Sequence, residues 1–232
     1  MDNKVSIIIP CFNEEENIGH LIVEIYKNIN ISIFEVLIIN DDSSDNTKQK
    51  VELLRRKYSN LKIFNNNYNI GQSLSIIKGI KLSNYPNILT LDGDGQNDPA
   101  DIPIMLDEYF IGEYDLVAGI RKNRKDNLIK IISSRIANKI RSLILNDDCE
   151  DTGCSLKIFK KKIFLIFPEF NGIHRFIPAL FKSKKSKIKF LTVHHRKREY
   201  GNSNYGTLDR LFKGIFDIFR VLKIIKFIKK NV

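Results

Sequence analysis

Cysteine is scarce in this sequence: Cys11, Cys149 and Cys154 are the only three in 232 residues. An odd number without tight pairs excludes a disulfide scaffold, and the CxxC spacing of a structural zinc site is missing. Buried or neutral free thiols in a reducing compartment are expected. No uncharged apolar run reaches the roughly 20 residues needed to span a bilayer. Met1-Asp2-Asn3-Lys4 leads straight into a strand-like run, without the regions of a signal peptide. No internal repeat and no low-complexity linker is present.

What the chain does have is an ordinary globular composition, 43% hydrophobic and 28% charged, on a length suited to one domain with or without an appendage. Its formal net charge is +11. Such a surplus fits nucleic acid, an anionic membrane surface or a phosphate-bearing substrate. Lysine and arginine are dense from Lys157 onward and acids lie mostly in the first two thirds, so the basic face belongs to one end of the chain.

Val5 to Ile9 is a β-branched apolar run closed by Pro10, and reads as a buried strand. A polar loop, Asn13 to Asn17, precedes helical periodicity from Ile18 to Ile29. Phe34 to Ile39 is a second strand, ending at Asn40-Asp41-Asp42. Asp45 or Asn46 caps a helix running to Tyr58. Leu61 to Phe64 is a third strand, Gly71 to Leu82 a helix, and Asn87 to Leu91 a fourth strand ending in Asp92-Gly93-Asp94. Further on, Tyr114 to Gly119, Ser155 to Phe159 and Ile188 to His194 read as strands. Leu128 to Leu145 and Ile173 to Phe181 read as helices. This alternation predicts an α/β fold, a mostly parallel sheet flanked by helices, with ligands bound beyond the carboxyl ends of the strands.

Two carboxylates one residue apart, Asp92 and Asp94, can reach one hard cation, and Gln96 adds a neutral oxygen. Aspartate and glycine are also common turn residues, so the spacing alone leaves a turn and a metal shelf both open.

The context of the pair resembles the metal-binding segment of family 2 glycosyltransferases, in the polyprenyl-phosphate (dolichol-phosphate) branch. The stretch is Leu89-Thr90-Leu91-Asp92-Gly93-Asp94-Gly95-Gln96-Asn97-Asp98-Pro99. In family order around it stand Ile8-Ile9-Pro10-Cys11-Phe12-Asn13-Glu14-Glu15, Asn40 to Thr47, Asn69-Ile70-Gly71-Gln72 and Asp115 to Arg121. Asp151-Thr152-Gly153-Cys154-Ser155-Leu156-Lys157, His174-Arg175-Phe176-Ile177 and Arg198 to Gly206 continue the series. The resemblance runs from about Val5 to Asp217 and implies a GT-A fold, a Rossmann-like α/β domain over residues 1–206.

It further implies a nucleotide-sugar site on Pro10, Asn13, Glu14, Asn40, Asp41, Gly71, Gln72 and Asp92. It implies magnesium or manganese on Asp92, Asp94 and Gln96. Asp94, Asp151 and Arg175 are the implied catalytic residues, and Arg121, Lys130, Ser133, Arg198 and Ser203 the implied acceptor-phosphate residues. The chain departs from the family pattern at Asn40, where an aspartate is usual, at Asp42, where a glycine is usual, and at Asn204, where a lysine is common. The first two put base recognition in question; the third removes a positive charge.

In the implied reaction the nucleoside diphosphate leaves, and a divalent cation stabilises the charge that develops on it. Attack from the opposite face gives inversion. A lipid monophosphate acceptor is mostly ionised at neutral pH, with a second pKa of about 6, and needs positive residues for positioning rather than a base. A saccharide or glycolipid hydroxyl needs a carboxylate base, for which Asp151 is placed by motif. His174 reads as a structural neighbour of Arg175. His194 and His195, adjacent at a strand end, face opposite ways and make no metal site. Cys154 is expected in the core.

From Leu208 to Lys230 apolar residues alternate with Arg210, Lys213, Asp217, Arg220, Lys223, Lys226 and Lys229 at helical spacing. Residues 207–232 are therefore expected to form a basic amphipathic helix, either in a membrane interface or packed on protein. The expected location is the cytoplasmic face of the inner membrane, held peripherally, with a second copy or a membrane protein as further partners. A sugar nucleotidyltransferase would begin with a glycine-rich basic loop after the first strand, which is missing. A nucleic-acid-binding module, the non-enzyme alternative, lacks its usual signatures, and no nucleic-acid partner is expected.

Overall fold

The structure, a computed structural model, describes residues 3–29, 32–121, 138–198 and 207–230. Lys130, Ser133, Ser203 and the first part of the helix expected from Leu128 lie outside the described residues. Among the described residues seven strands are present: β1 (Val5–Cys11), β2 (Phe34–Asn40), β3 (Leu61–Asn65), β4 (Asn87–Thr90), β5 (Leu116–Arg121), β6 (Lys157–Lys160) and β7 (Ile188–Val193). They form one sheet in the order β3-β2-β1-β4-β6-β5-β7. All pairings are parallel except those of β6, which runs antiparallel to both β4 and β5.

The helices are α1 (Glu15–Asn28), α2 (Thr47–Arg55), α3 (Gln72–Leu82), α4 (Ile102–Ile111), α5 (138–145), α6 (Lys161–Phe164), α7 (Ile177–Ser183) and α8 (Thr207–Lys230). Alternate side chains of β1 enter opposite layers. Ile7 and Ile9 pack with Ile18, Leu21 and Ile22 of α1 and with Met105 and Leu106 of α4. Ile8 packs with Ile76, Ile77 and Ile80 of α3 and with Phe181 of α7. Burial on both faces is why β1 is an unbroken apolar run rather than an alternating one.

The helix after β1 starts at Glu15, three residues earlier than the periodicity predicts. The Glu14 carbonyl accepts from the backbone N–H of both Asn17 and Ile18, and Glu15 and Glu16 suit the positive end of the helix dipole. A polar first turn therefore reads as loop in the sequence. Asn46 holds the N-cap position of α2 without a side-chain cap bond, and Asp45 beside it accepts from the Thr47 amide at 2.9 Å.

The chain runs outward from β1 through β2 to β3, then returns to place β4 on the other side of β1. The crossover helices change faces there, with α1 in one layer and α3 in the other, and such a switch point is where open α/β sheets bind ligands, in a crevice at the carboxyl edge. Helix α8 buries Val221, Ile225 and Ile228 against the α3/α7 layer. Phe216, Phe219 and Phe227 of the same helix are 74%, 61% and 70% exposed. One face of the tail thus packs on the domain and another does not. Among the described residues no helix is long and apolar enough to cross a membrane.

Candidate active site

The crevice is floored by the contact between the loops after β1 and β4. A Cβ on Gly93 would stand 3.0 Å from Cys11 Cβ and 3.1 Å from the Pro10 carbonyl oxygen, so only glycine lets the two loops lie this close. The neighbouring carboxylates are fixed by other contacts. Gln72 Nε2 donates to Asp92 Oδ1 at 2.6 Å, and the Asp92 amide donates to Asn97 Oδ1 at 3.1 Å. Asp94 accepts from the Gln96 amide at 3.1 Å and faces Arg198 at 3.8 Å.

Burial, and then the negative charge of Asp94, push the Asp92 carboxyl up to about 6. A second carboxylate beside a half-buried one is a repulsive arrangement for the bare protein, and a divalent cation between them removes the repulsion. Two hard oxygen ligands at the mouth of a crevice match the partial protein coordination that magnesium and manganese accept, the remainder coming from phosphates and water. Among the described residues no cluster of three or more His, Cys, Asp or Glu could hold a metal. Gln96 turns its side-chain Nε2 to the Arg196 carbonyl at 3.4 Å, and its backbone carbonyl accepts from the Arg196 amide.

The other bank joins the loops after β1 and β2. Asn13, at φ 54°, accepts from the Ser44 amide at 2.8 Å, while its own amide donates to Ser43 Oγ at 3.0 Å. Across the same gap the Glu15 backbone amide donates to Asp45 Oδ2 at 3.0 Å, and the Asn46 amide donates to Glu15 Oε2 at 2.9 Å. Asp41 is buried and its carboxylate is occupied internally, by Asn66 Nδ2 at 2.7 Å and by the amides of Ile70 and Gly71 at 2.9 and 2.8 Å. It builds the turn that opens α3, where Gly71 adopts φ 86°, ψ 159°, a conformation essentially reserved for glycine. Asn40 donates to Asn65 Oδ1 and accepts from the Ser43 amide. Both residues expected to read the base thus hold the walls of the crevice together.

Arg121 and Asp151 meet as a two-pronged pair, Nε to Oδ2 at 2.7 Å and Nη2 to Oδ1 at 2.8 Å, with the Arg121 amide also on Oδ2. Both are largely buried. Arg198 joins the two banks, donating to Glu14 Oε1 at 2.8 Å. Burial outweighs this contact, and the Glu14 carboxyl is raised above its usual range. Arg175 pairs with Asp217 of α8 at 2.7 Å. His174 is enclosed, 2.7 Å from Ser73 Oγ, and held down to about 3 by burial and by the cations Arg175 and Lys157, so it is a neutral structural residue. Pro10 lends its carbonyl to the loop contact. His194 bonds Asp101, and Cys154 is buried.

Sequence reasoning missed three residues. Lys157, at the start of β6, is 2% exposed, bonds the Cys154 carbonyl and offsets part of the charge on Asp92. Asn97 orders the Asp92 loop and accepts from Ser155 Oγ at 2.7 Å. Ser73 links α3 to the Gly172 amide at 2.7 Å. Each is a polar residue at a strand or helix end, which local pattern cannot tell from a solvated one.

Residues 6–166 match the model of the family described as glycosyl transferase family 2. Dodecaprenyl-phosphate galacturonate synthase of Rhizobium johnstonii is 35% identical over 231 residues, spanning 97% of this chain and 68% of that protein. Undecaprenyl-phosphate 4-deoxy-4-formamido-L-arabinose transferase of Yersinia pestis is 32% identical over 222 residues, spanning 94% and 67%. Among solved structures, glucosyl-3-phosphoglycerate synthase of Mycobacterium tuberculosis, in complex with Mn2+, UDP and glucosyl-3-phosphoglycerate, superposes with a TM-score of 0.71 at 13% identity. That match covers 94% of this chain and 78% of the other. S. aureus TarS in complex with UDP-GlcNAc has a TM-score of 0.66 at 19% identity, covering 94% and 66%. At these identities the solved structures show the shared fold alone.

Proposed function

The chain belongs to glycosyl transferase family 2, and on that premise we propose that it moves a sugar, with inversion, from a nucleotide-sugar to a polyprenyl phosphate. Two relatives above 30% identity are named for such lipid phosphates. The observation that carries the choice of acceptor is the Arg121–Asp151 pair. Asp151 is the carboxylate whose motif position suits a base for a hydroxyl acceptor, and the bidentate fork of Arg121 commits both its oxygens. A carboxylate so engaged is a poor proton acceptor. An acceptor that arrives already ionised needs none.

In this reading Asp92 and Asp94 hold magnesium or manganese, which as a Lewis acid supplies charge stabilisation for the departing diphosphate. Gln72 fixes the orientation of Asp92. Arg198, set between Glu14 and Asp94, orders the crevice and adds positive charge where the diphosphate leaves. Asp41 and Asn40 act through the wall they build, so discrimination of the base falls to backbone groups and to Asn13 and Glu14. Arg121 holds the end of β5 in place through Asp151. Lys130, Ser133 and Ser203 keep the acceptor-phosphate roles that the resemblance gives them, and Gln96 remains a candidate metal oxygen.

Residues 1–206 are the catalytic domain in this account and 207–232 its membrane-facing tail. The exposed phenylalanines of α8 stand among Arg220, Lys223 and Lys226, as in a helix lying in an anionic lipid interface. The net charge of +11 fits attachment at the cytoplasmic face of the inner membrane.

The test incubates the protein with a panel of nucleotide-sugars and magnesium or manganese, with and without polyprenyl phosphate, alongside Asp94→Ala. Nucleoside diphosphate release that requires both metal and lipid phosphate, and disappears in the variant, is the expected result. Release that ignores lipid phosphate and answers to a saccharide would move the acceptor to a hydroxyl.

A further inference from the structure

The loop that carries Asp92 and Asp94 has no regular structure of its own. Residues 91–96 lie outside any helix or strand, and glycines stand on both sides of Asp94. At Gly95, with φ 72°, a Cβ would meet nothing within 4 Å, so packing does not hold that side of the turn. Metal ligands nevertheless need placement within about 0.5 Å. One hold on the loop is Asn97, which accepts from the Asp92 amide and from Ser155 Oγ. The other is the segment that follows β7.

That segment pairs antiparallel with the loop through a bridge between Asn97 and His195. The Arg196 amide donates to the Gln96 carbonyl at 2.9 Å, and Gln96 Nε2 donates back to the Arg196 carbonyl at 3.4 Å. The Arg196 side chain then spans two elements. Its Nη2 donates to Asp98 Oδ1 and its Nη1 to Glu24 Oε2 of α1, each at 2.6 Å. His194 fastens the near end of the segment, with its amide 2.6 Å from Asp101 Oδ2 and its Nδ1 2.8 Å from Oδ1. Arginine suits the task because its fork engages two carboxylates at once, whereas an ammonium is a point charge. The side chains of Arg196 and Glu24 are both 38% exposed, and ion pairs so exposed add little to stability. What they add is a fixed distance between the end of the loop and a helix packed in the core.

We propose that Arg196 is a positioning residue for the metal: by clamping Asp98 to Glu24 it fixes the loop on which Asp92 and Asp94 stand. The inference rests on the reading that these two carboxylates hold magnesium or manganese. The sign of the effect separates a clamp from plain electrostatics. Removing a cation from the surroundings of a metal site tightens metal binding by Coulomb's law. Releasing the loop weakens it. Groups that orient metal ligands from behind are worth about 10–100-fold in affinity or activity, and a clamp four residues from Asp94 belongs at the lower end.

The experiment measures manganese binding to the full chain by calorimetry, alone and in the presence of UDP or GDP. Wild type is compared with Arg196→Gln, Arg196→Lys, Glu24→Gln and the double variant Arg196→Gln with Glu24→Gln. Lys197→Gln, which removes the exposed cation next in sequence, is the electrostatic control. Arg196→Gln and Glu24→Gln should each bind manganese about tenfold more weakly, and Arg196→Lys should lose less. The double variant should bind no more weakly than Arg196→Gln alone, because both changes open the same clamp. Lys197→Gln should bind at least as tightly as wild type. In the metal-free protein, amide hydrogen exchange across residues 92–98 should quicken in Arg196→Gln at a nearly unchanged unfolding temperature. Unchanged or tighter manganese binding in Arg196→Gln overturns the proposal, and so does strict additivity in the double variant. Weaker binding that comes with a large fall in unfolding temperature in every clamp variant overturns positioning in favour of a role in the fold. No manganese binding by wild type under any of these conditions overturns the metal reading on which the inference rests.

Discussion

Replacing Gly93 by alanine probes the contact on which the whole crevice is built. The added Cβ would stand 3.0 Å from Cys11 Cβ and 3.1 Å from the Pro10 carbonyl oxygen. Carbon contacts are comfortable at about 3.5–4.0 Å, so the two loops must part by roughly 0.5 Å. Neither neighbour yields cheaply: Pro10 and Cys11 end a central strand hydrogen-bonded on both sides, and the Pro10 oxygen is backbone. Overpacking of this kind costs about 1–3 kcal/mol. The displacement falls on Asp92 and Asp94, which flank Gly93, and misplacement approaching 1 Å costs up to about 10²-fold in rate. Urea unfolding of Gly93→Ala should therefore show a lower midpoint at unchanged slope, and turnover should fall at least about tenfold. A variant with wild-type midpoint and wild-type turnover would refute the claim that the touching loops set the geometry of the carboxylates.

Other perturbations reach the remaining parts of the account. Asp41→Asn replaces an acceptor of three donors by a group that must present N–H to some of them, and should lose about 1.5–3 kcal/mol in thermal unfolding. Because Asp92 is raised to about 6 in the folded protein, above its ordinary 3.8, the native state binds this proton more tightly than the unfolded one. The metal-free protein should therefore gain stability from this group as pH falls through about 6 toward 4, whereas manganese affinity should fall over the same window; titration calorimetry and thermal unfolding at several pH values read both. Phe216→Ser with Phe219→Ser should weaken binding to anionic vesicles about tenfold while leaving the unfolding temperature nearly unchanged, since both rings are exposed.

The strands of the nucleotide-binding half were legible because burial on both faces writes them as short β-branched runs, as in Val5–Cys11 and Phe34–Asn40. The position of Asp92 and Asp94 just past β4 was legible because a strand end followed by Asp-Gly-Asp is a local feature. What local pattern could not show was pairing across the chain. Arg121 and Asp151 read separately as a phosphate ligand and a base, and only the fold brings them into one ion pair 30 residues apart in sequence. Asp41 reads as a base-binding acid until the Ile70 and Gly71 amides are seen to fill it. Lys157 is invisible for the same reason, since an antiparallel strand inserted between β4 and β5 buries a lysine that sequence context leaves on a surface. The tail read as a choice between membrane and protein, and the packing of α8 could not be read from periodicity: Val221, Ile225 and Ile228 are buried, while Phe216 and Phe219 are exposed.

The most direct test of the central claim is the chemical identity of the lipid product. The protein is incubated with the nucleotide-sugar that it turns over, divalent metal and polyprenyl phosphate, and the lipid fraction is analysed by mass spectrometry and by NMR of the anomeric proton. A sugar joined to the polyprenol through one phosphate, with the anomeric configuration opposite to that of the donor, is the predicted result. A sugar carried on a saccharide hydroxyl, a retained anomer, or a lipid fraction without sugar despite nucleotide release would contradict it.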